Sequence, residues 1–425
     1  MSKEKSLFKS FMGTASIRLF ASCLSVITGI IYARFLGPEQ YGLYGYVMSI
    51  IALLTLPVTA GIPNLIIREI ANFQLEEKWQ YLQGIISWSR WYVLITSFVI
   101  VVVSILAIYY DFFKPSVAPL LLIALVTIPF RGLLTQQGAI LNGFRRPVLA
   151  QVPSQVLAPV ITLALLFFLV FNNSELTGEI LIRISIVASL LAFALSAWYL
   201  NKIIKQESKI EKPKYLIKQW HLSLTPFTLM TIIGTLNAEL ASVFLGWLDS
   251  TESVAFFKVA MQGMILISLG LNSINSVIMP QVARFFRQGD LKQTQQLLTK
   301  SVRISSLVSL PIILVLIFFG QFAIEILFGK EYLSAYPLLV ILCIGQAVNV
   351  LMGSVGLVLN MTNNEKYSLR SLLITLFISV VLLVFLIPNY SAIGAALVVS
   401  IGLILWNVLM AIDVYKLTGL RTWIM

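Results

Sequence analysis

The sequence predicts an all-α polytopic membrane protein with twelve transmembrane helices, in two six-helix lobes related by a parallel pseudo-twofold. Three observations predict it. Of 425 residues, 58% are hydrophobic and only 11% charged, with a mean hydropathy of +0.91, whereas a soluble chain of this length would divide into cores with polar surfaces. Apolar stretches of about 20 residues follow one another with short polar interruptions, the length a helix needs to cross a hydrocarbon core of roughly 30 Å. Short sequence frames also recur in the same order at an offset of 209 or 218 residues. A transmembrane barrel would instead show alternating segments of about 10 residues, and no sustained period-two pattern is present.

Span 1 covers 10–35. The basic stretch MSKEKSLFKS before it resembles the start of a secretory leader, but the apolar run is too long and lacks a small-residue cleavage pattern, so it is expected to remain as the first helix. Span 2 (42–67) follows GPEQY and holds Pro57 and Pro63. Span 3 (83–109) follows EEKWQ, span 4 (116–141) follows DFFKP and holds Pro129, and span 5 (148–171) follows FRRP and holds Pro153 and Pro159. Span 6 covers 179–201. Spans 7 (219–245) and 8 (253–280) are parted by WLDST, spans 9 (302–327) and 10 (334–360) by FGKEY, and spans 11 (367–387) and 12 (391–416) by PNY. Each proline removes a backbone hydrogen bond and can kink its helix, which suits elements that bend during gating and equally suits static kinks.

The repeat sets the domain organisation. GAILN at 138–142 returns as GLVLN at 356–360, and PLLLI at 119–123 as PLLVI at 337–341, both at offset 218; FLG at 35–37 returns as FLG at 244–246. Asn173 and Gly178 correspond likewise to Asn389 and Gly394. Each pair falls at an equivalent place in a six-span half, and because six is even both halves enter the membrane in the same direction. The expected division is an N-terminal lobe at 1–200, a linker at 201–220 (NKIIKQESKIEKPKYLIKQW, the most polar long segment) and a C-terminal lobe at 221–425.

Cytoplasmic loops carry an excess of Lys and Arg. With the N-terminus inside, most of the 30 basic residues lie in or beside inside segments, including Lys202, Lys205, Lys209, Lys212, Lys214 and Lys218, and only Lys114 and Lys330 lie in outside loops. Both termini and the linker are therefore expected to be cytoplasmic. The net charge of +12 is dispersed over one membrane face with no RNA or DNA module beside it, so topology explains it and a nucleic-acid partner is not expected.

Parallel halves are how several transporters are built, around a central site that opens to one side and then the other. Charged residues within spans are the candidates for function. Arg34, Arg90 and Arg183 lie near span ends, where a long side chain reaches the interface. Arg18, Arg131, Glu239 and Lys258 lie deeper, where a charge costs roughly 2.5–3.5 kcal/mol on insertion scales and usually faces a cavity or a partner. In span 1, Ser10, Thr14, Arg18, Ser22, Ser25 and Gly29 step by three and four into one polar stripe. Thr228, Thr231, Thr235, Glu239, Ser242 and Gly246 do the same in span 7, and Lys258, Gln262, Leu269, Asn272 and Ser276 in span 8. Close helix packing accounts for the small residues of such stripes but not for a buried arginine. Arg131 has no stripe around it. Arg18, Lys258 and Arg131 are expected to meet substrate, Glu239 to bind a coupling ion or pair with a nearby cation such as Lys258, and Thr14, Ser22, Ser25, Thr235, Ser242, Gln262 and Asn272 to line the cavity.

Nothing in the chain offers enzyme chemistry. His221 is the single histidine, Cys23 and Cys343 lie in separate spans, and no cluster has metal-ligand or nucleophile spacing. No phosphate-binding Walker loop appears. A membrane glycosyltransferase or polymerase would need an acidic catalytic group on a sizeable loop, and the outside loops are short. No enzyme activity and no cofactor is expected.

ARFLGPEQYGLYGYV at 33–47, MPQVARFFRQGDLKQTQQLLTKSVRIS at 279–305 and FGKEYLSAYPLLVILCIGQAVNVLMGSVGLVLNMTNNEK at 328–366 resemble the polysaccharide transporter branch, of O-antigen flippase type, of the multidrug/oligosaccharidyl-lipid/polysaccharide exporter superfamily. The resemblance runs over essentially the whole chain. It implies a bacterial inner-membrane protein that moves an undecaprenyl-diphosphate-linked oligosaccharide from the cytoplasmic to the periplasmic leaflet, in contact with membrane lipids and in association with glycan polymerase machinery. It also implies a cavity lined mainly by helices 1, 2, 7 and 8, three of which carry the charged stripes above. The chain departs from related lipid II flippases, which have fourteen helices, and from the drug-exporting branch, which often has an acidic residue in the first lobe where this chain has Arg18. The alternative is a cation-coupled drug antiporter of the same superfamily; arginine and lysine suit an anionic diphosphate and repel a cationic drug.

Overall fold

The computed structural model describes residues 2–172, 176–209 and 211–423. Asn173, one member of the Asn173/Asn389 match, lies outside them, as do the side chains of Ser10 and Ser276. The protein is an all-α, multi-pass membrane protein: 88% of it is helical, without strands among the described residues. Ten described helices are long and apolar enough to cross a membrane.

α1 (Ser2–Leu54) contains expected spans 1 and 2, interrupted at Gly37, which has φ 71° and ψ 171° and is followed by Pro38. Without a Cβ, glycine takes this backbone at little cost, and the proline cannot donate to the preceding turn. Span 2 does not run unbroken to 67. The single turn α2 (Leu56–Thr59) and then α3 (Ile62–Leu75) follow α1, and Pro57 and Pro63 sit in their first turns, where a missing N–H leaves no acceptor unpaired. α4 (Trp79–Tyr109) is continuous. Span 4 divides into α5 (Ala118–Leu125) and α6 (Thr127–Gly143), parted at Val126 just ahead of Pro129. Span 5 is α7 (Pro147–Val152), one π turn over Pro153–Leu157, and α8 (Ala158–Phe171); Pro153 and Pro159 bracket the π turn, which absorbs the interrupted bonding.

α9 (Gly178–Glu207) starts at Thr177, whose hydroxyl accepts from the Ile180 N–H at 3.3 Å, and runs into the expected linker. α10 (Ile217–Leu248) and α11 (Thr251–Arg287) are joined by a short turn in which the Ser250 hydroxyl caps the Ser253 N–H at 3.1 Å. Asp290 caps α12 (Leu291–Leu327) through the Gln293 N–H at 2.8 Å. After a 3₁₀ turn at Lys330–Tyr332, span 10 forms α13 (Ala335–Met352) and α14 (Val355–Met361), broken at Gly353. α15 (Glu365–Thr418) holds spans 11 and 12 with a break at Ser391, φ 52° and ψ −135°. The Ser391 hydroxyl donates to the Asp249 carboxylate and lies 3.1 Å from the Ser253 hydroxyl, so the α10–α11 turn holds a backbone geometry that is otherwise disfavoured.

The chain forms two compact units, one of residues up to Leu24 together with Val47–Thr235, the other of Ser25–Tyr46 together with Leu236 onward. In the first, Ile66 and Ile70 of α3, Leu82 and Ile85 of α4, Ile140, Leu141 and Phe144 at the end of α6, Leu200 of α9 and Trp220 of α10 form one buried cluster. In the second, Ile278 and Val282 of α11, Leu298 of α12, Val358 and Leu359 of α14 and Met410 and Val414 of α15 form another. The central apolar residues of GAILN and GLVLN, Ile140 and Leu141 against Val358 and Leu359, thus enter the core of their own unit in the same register.

Each unit also binds a segment that follows one of its helices, α9 in the first and α15 in the second. In the first, the Lys214 N–H donates to Gln80 O at 3.0 Å and Gln83 Nε2 donates to Ser208 Oγ at 3.3 Å. In the second, the Gln295 side chain takes both backbone groups of Arg421, Nε2 donating to the carbonyl and Oε1 accepting from the N–H, each at 2.8 Å.

Within α15, Arg370 Nη2 donates to both carboxylate oxygens of Asp413 at 2.9 Å and the guanidinium lies 5.4 Å from the Tyr367 ring centroid. The Asp413 side chain is 9% exposed, that of Arg370 54%. The pair is therefore unequal: Asp413→Asn leaves an arginine that reaches solvent, whereas Arg370→Met strands a buried carboxylate. Thermal unfolding in detergent is expected to show Arg370→Met losing about 3 kcal/mol and Asp413→Asn about 1 kcal/mol. Equal losses would contradict this account of the pair.

Candidate functional site

Glu239 lies on the last third of α10 and Lys258 two turns into α11, and the short Leu248–Thr251 turn sets the two helices side by side. Lys258 Nζ donates to Glu239 Oε2 at 3.2 Å, with both side chains about a quarter exposed (25% and 26%). The lysine stem runs against Gly45 of α1, where a Cβ would sit 3.3 Å from Lys258 Cγ. One turn further along α11, Gln262 turns its amide towards α1: a Cβ at Gly29 would lie 2.2 Å from Gln262 Nε2, and the Gln262 side chain bonds the buried Tyr41 hydroxyl. Ser242, on the Glu239 face of α10, is 1% exposed. Its Oγ and Gln262 Oε1 are buried without a hydrogen-bond partner among the described residues. This arrangement holds a cation and its counter-charge together inside membrane-spanning segments, in surroundings of low dielectric where each depends on the other.

The remaining expected residues are dispersed. In the first unit, Arg18 is exposed and has no ion pair among the described residues, while Thr14 and Ser22 are half-buried. Ser25 and Asn272 are exposed and Arg131 half-buried. In the threonine stripe of α10, Thr235 donates to Thr231 O at 3.1 Å and Thr231 to Phe227 O at 3.0 Å, while the Thr228 hydroxyl lies between Leu224 O at 2.9 Å and Ala60 O at 3.1 Å, so Thr235 is left only acceptor capacity. Arg34 Nε donates to Leu327 O at 2.8 Å and its Nη2 to Ile326 O, so it closes the C-terminus of α12, where a cation suits the exposed carbonyls. The Arg183 guanidinium meets Glu179 one turn earlier on α9.

Sequence reasoning missed the part of α1 beyond Gly37. Gly42 and Gly45 are spaced by three, and a Cβ at Gly42 would fall 1.7 Å from Thr251 O; this small-residue face lets α1 meet the start of α11. The run YGLYGY at 41–46 is the signal that would have pointed there.

Residues 7–286, more than half of the chain, match the family described as "Polysaccharide biosynthesis protein". Among curated proteins, the chain is 24% identical over 240 residues to the capsular polysaccharide biosynthesis protein CapF of Staphylococcus aureus, covering 56% of this chain and 60% of that protein. It is 24% identical over 226 residues to the probable low-salt glycan biosynthesis flippase Agl15 of Haloferax volcanii, covering 51% and 45%. The chain thus spans about half the length of these curated relatives. Its fold matches that of lipid II flippase MurJ in an inward closed conformation, with a TM-score of 0.75, 17% identity and coverage of 94% of this chain and 87% of the other. It matches equally an inward-facing MATE family multidrug resistance transporter, with a TM-score of 0.76, 13% identity and coverage of 95% and 99%. On the family match, the chain belongs to the polysaccharide biosynthesis protein family.

Proposed function

We propose that this protein is a flippase that carries an undecaprenyl-diphosphate-linked oligosaccharide, an O-antigen or similar repeat unit, across the bacterial inner membrane by alternating access. The observation that carries the reading is the Lys258–Glu239 pair, a membrane-embedded cation whose ion-pair partner among the described residues is the Glu239 carboxylate at 3.2 Å. A diphosphate brings its charge between polyprenyl tail and glycan, and moving that charge through a low-dielectric interior requires compensation. Substrate phosphate competes with Glu239 for Lys258; the released carboxylate then takes a proton or a sodium ion, and discharging it on the other side resets the pair. Arg18 supplies a forked set of donors to the phosphate oxygens, and Arg131 adds positive charge in the first unit. The polysaccharide and flippase names of the sequence relatives support the same substrate class.

Glu239 favours a second reading, a cation-coupled drug antiporter. Lys258 at 3.2 Å argues against it, because a cationic drug approaching that carboxylate meets the ammonium first. Glycan export by cells that lack their native flippase, normalised to the protein in the membrane, separates the two. Restored export is expected; drug resistance without export would support the antiporter.

The orientation is part of the proposal. With Lys202, Lys205, Lys209, Lys212, Lys214 and Lys218 at or near the α9–α10 connection, that connection belongs in the cytoplasm. Single cysteines placed at 209–213 should react with a membrane-impermeant maleimide only after the inner membrane is opened. Labelling from the periplasm would reverse the topology.

A further inference from the structure

The two repeated frames end in the same backbone and differ in what they place on it. At the end of α6 the Arg145 N–H bonds Asn142 O and the Arg146 N–H bonds Leu141 O, each at 2.9 Å; at the end of α14, 218 residues on, the Asn364 N–H bonds Leu359 O at 2.9 Å. Arg145 and its counterpart Asn363 both have φ 59°. Asparagine is at home in this left-handed geometry, and the neighbouring Asn364 spends its side chain locally, Nδ2 donating to Thr362 O and Oγ1 at 3.1 Å. Arginine has no such affinity for the position. It is held there because Phe144, 2% exposed, anchors the turn in the core with Ile70 and Leu141. Topology does not require this, since loop charge orients a membrane protein wherever in the loop it lies. Left-handed backbone at a residue other than glycine or asparagine costs stability, so the first turn carries Arg145 at a cost that the second turn, with Asn363, avoids.

That side chain borders a cavity of about 410 Å³ lined by Gln74, Leu75, Phe144, Arg145, Arg146 and Glu207. Arg145 is exposed with no ion pair among the described residues, while Arg146 Nη2 donates to Glu207 Oε1 at 2.9 Å and is itself half exposed. Leu75, 71% exposed, and Phe144 give the cavity an apolar wall. The ends of α3, α6 and α9 that meet here adjoin loops on one side of the membrane. Adjacent guanidinium forks and an amide beside an apolar wall, at the end of membrane-spanning helices, match an amphiphile whose polar end is a phosphate.

We propose that the α6–α7 turn of the first unit binds the phosphate group of a lipid headgroup through Arg145 and Arg146, with Gln74 as a further donor and Leu75 against the apolar part. Neither Lys258 nor Arg18 is among the residues that line this cavity, and lipid binding there does not depend on the protein being a flippase. Two lipids offer this chemistry, an anionic glycerophospholipid of the bilayer and a polyprenyl diphosphate.

The test uses the full chain in phosphatidylcholine nanodiscs, titrated in parallel with phosphatidylglycerol and with undecaprenyl diphosphate, reading retained lipid by native mass spectrometry and the rise in Tm. Arg145→Asn combined with Arg146→Asn copies the second turn, so Tm in phosphatidylcholine alone should be unchanged or higher. Retention of at least one of the two lipids should weaken about tenfold or more, and the Tm rise with that lipid should vanish. Glu207→Gln, which frees Arg146, should tighten retention. Weakening confined to phosphatidylglycerol identifies a bilayer lipid, weakening confined to undecaprenyl diphosphate a polyprenyl carrier, and weakening of both the shared phosphate. If the double variant does not insert, Arg145→Asn alone gives the same comparison, because it relieves the backbone strain. Undiminished retention of both lipids by the asparagine variants would overturn the proposal.

Discussion

Lys258→Met is expected to abolish glycan export and to lower the amount of protein in the membrane, whereas Lys258→Met combined with Glu239→Gln should restore the amount but not the export. The expectation follows from the 3.2 Å ion pair and its partial burial. Removing the lysine takes the 3.2 Å cation from a Glu239 carboxylate that keeps its other contacts in a membrane span, a loss below the roughly 2.5–3.5 kcal/mol that insertion scales assign to a bare charge at a helix centre. Neutralising both members removes that penalty, so insertion recovers while the cation for the phosphate is still missing. Glu239→Gln alone is milder, because it keeps the cation that meets the phosphate; the protein should be inserted and abundant, with reduced ion-dependent transport. Export at wild-type level by the double variant would reduce the pair to a packing device. Unaltered transport by Glu239→Gln at every proton and sodium gradient would remove the coupling role.

Arg18→Ala is expected to abolish flipping, Arg18→Lys to retain part of it, and neither to prevent insertion. Arg18 is exposed in the first unit without an ion pair among the described residues, so truncation strands no counter-charge and eases insertion. Lysine keeps the charge but loses the fork that matches two phosphate oxygens. The readout is export in cells lacking the native flippase, normalised to membrane protein. Wild-type export by Arg18→Ala would transfer the phosphate contact to Lys258 or Arg131.

Much of this fold was legible because a bilayer imposes length on a helix and loops carry recognisable breakers. Gly37–Pro38 was readable as an interruption, and Gly37 indeed has the positive φ that ends the first segment of α1. The break at Gly353 was not readable, since one glycine inside LMGSVGLVLN does not interrupt an apolar run and only tertiary packing decides whether it bends. Of the site, Glu239 and Lys258 were found as charges in apolar spans, and their pairing was one of two options until α10 and α11 were seen side by side. Tyr41 and Gly45 escaped because their approach to α11 joins positions more than two hundred residues apart in sequence, which helical periodicity does not encode. Arg145 escaped for another reason: a left-handed turn residue is recognised from sequence when it is Gly or Asn, and here it is Arg.

The most direct test of the account is flipping by purified protein in proteoliposomes loaded with a fluorescent undecaprenyl-diphosphate-linked oligosaccharide. The fraction of glycan reachable by an external, membrane-impermeant quencher is followed over time. The wild-type chain should equilibrate the glycan between leaflets well above the protein-free rate, and Arg18→Ala and Lys258→Met, reconstituted to the same density, should fall to that background. Wild-type protein that leaves the glycan at the protein-free rate under proton and sodium gradients of either direction, yet moves a cationic dye under the same conditions, would contradict it.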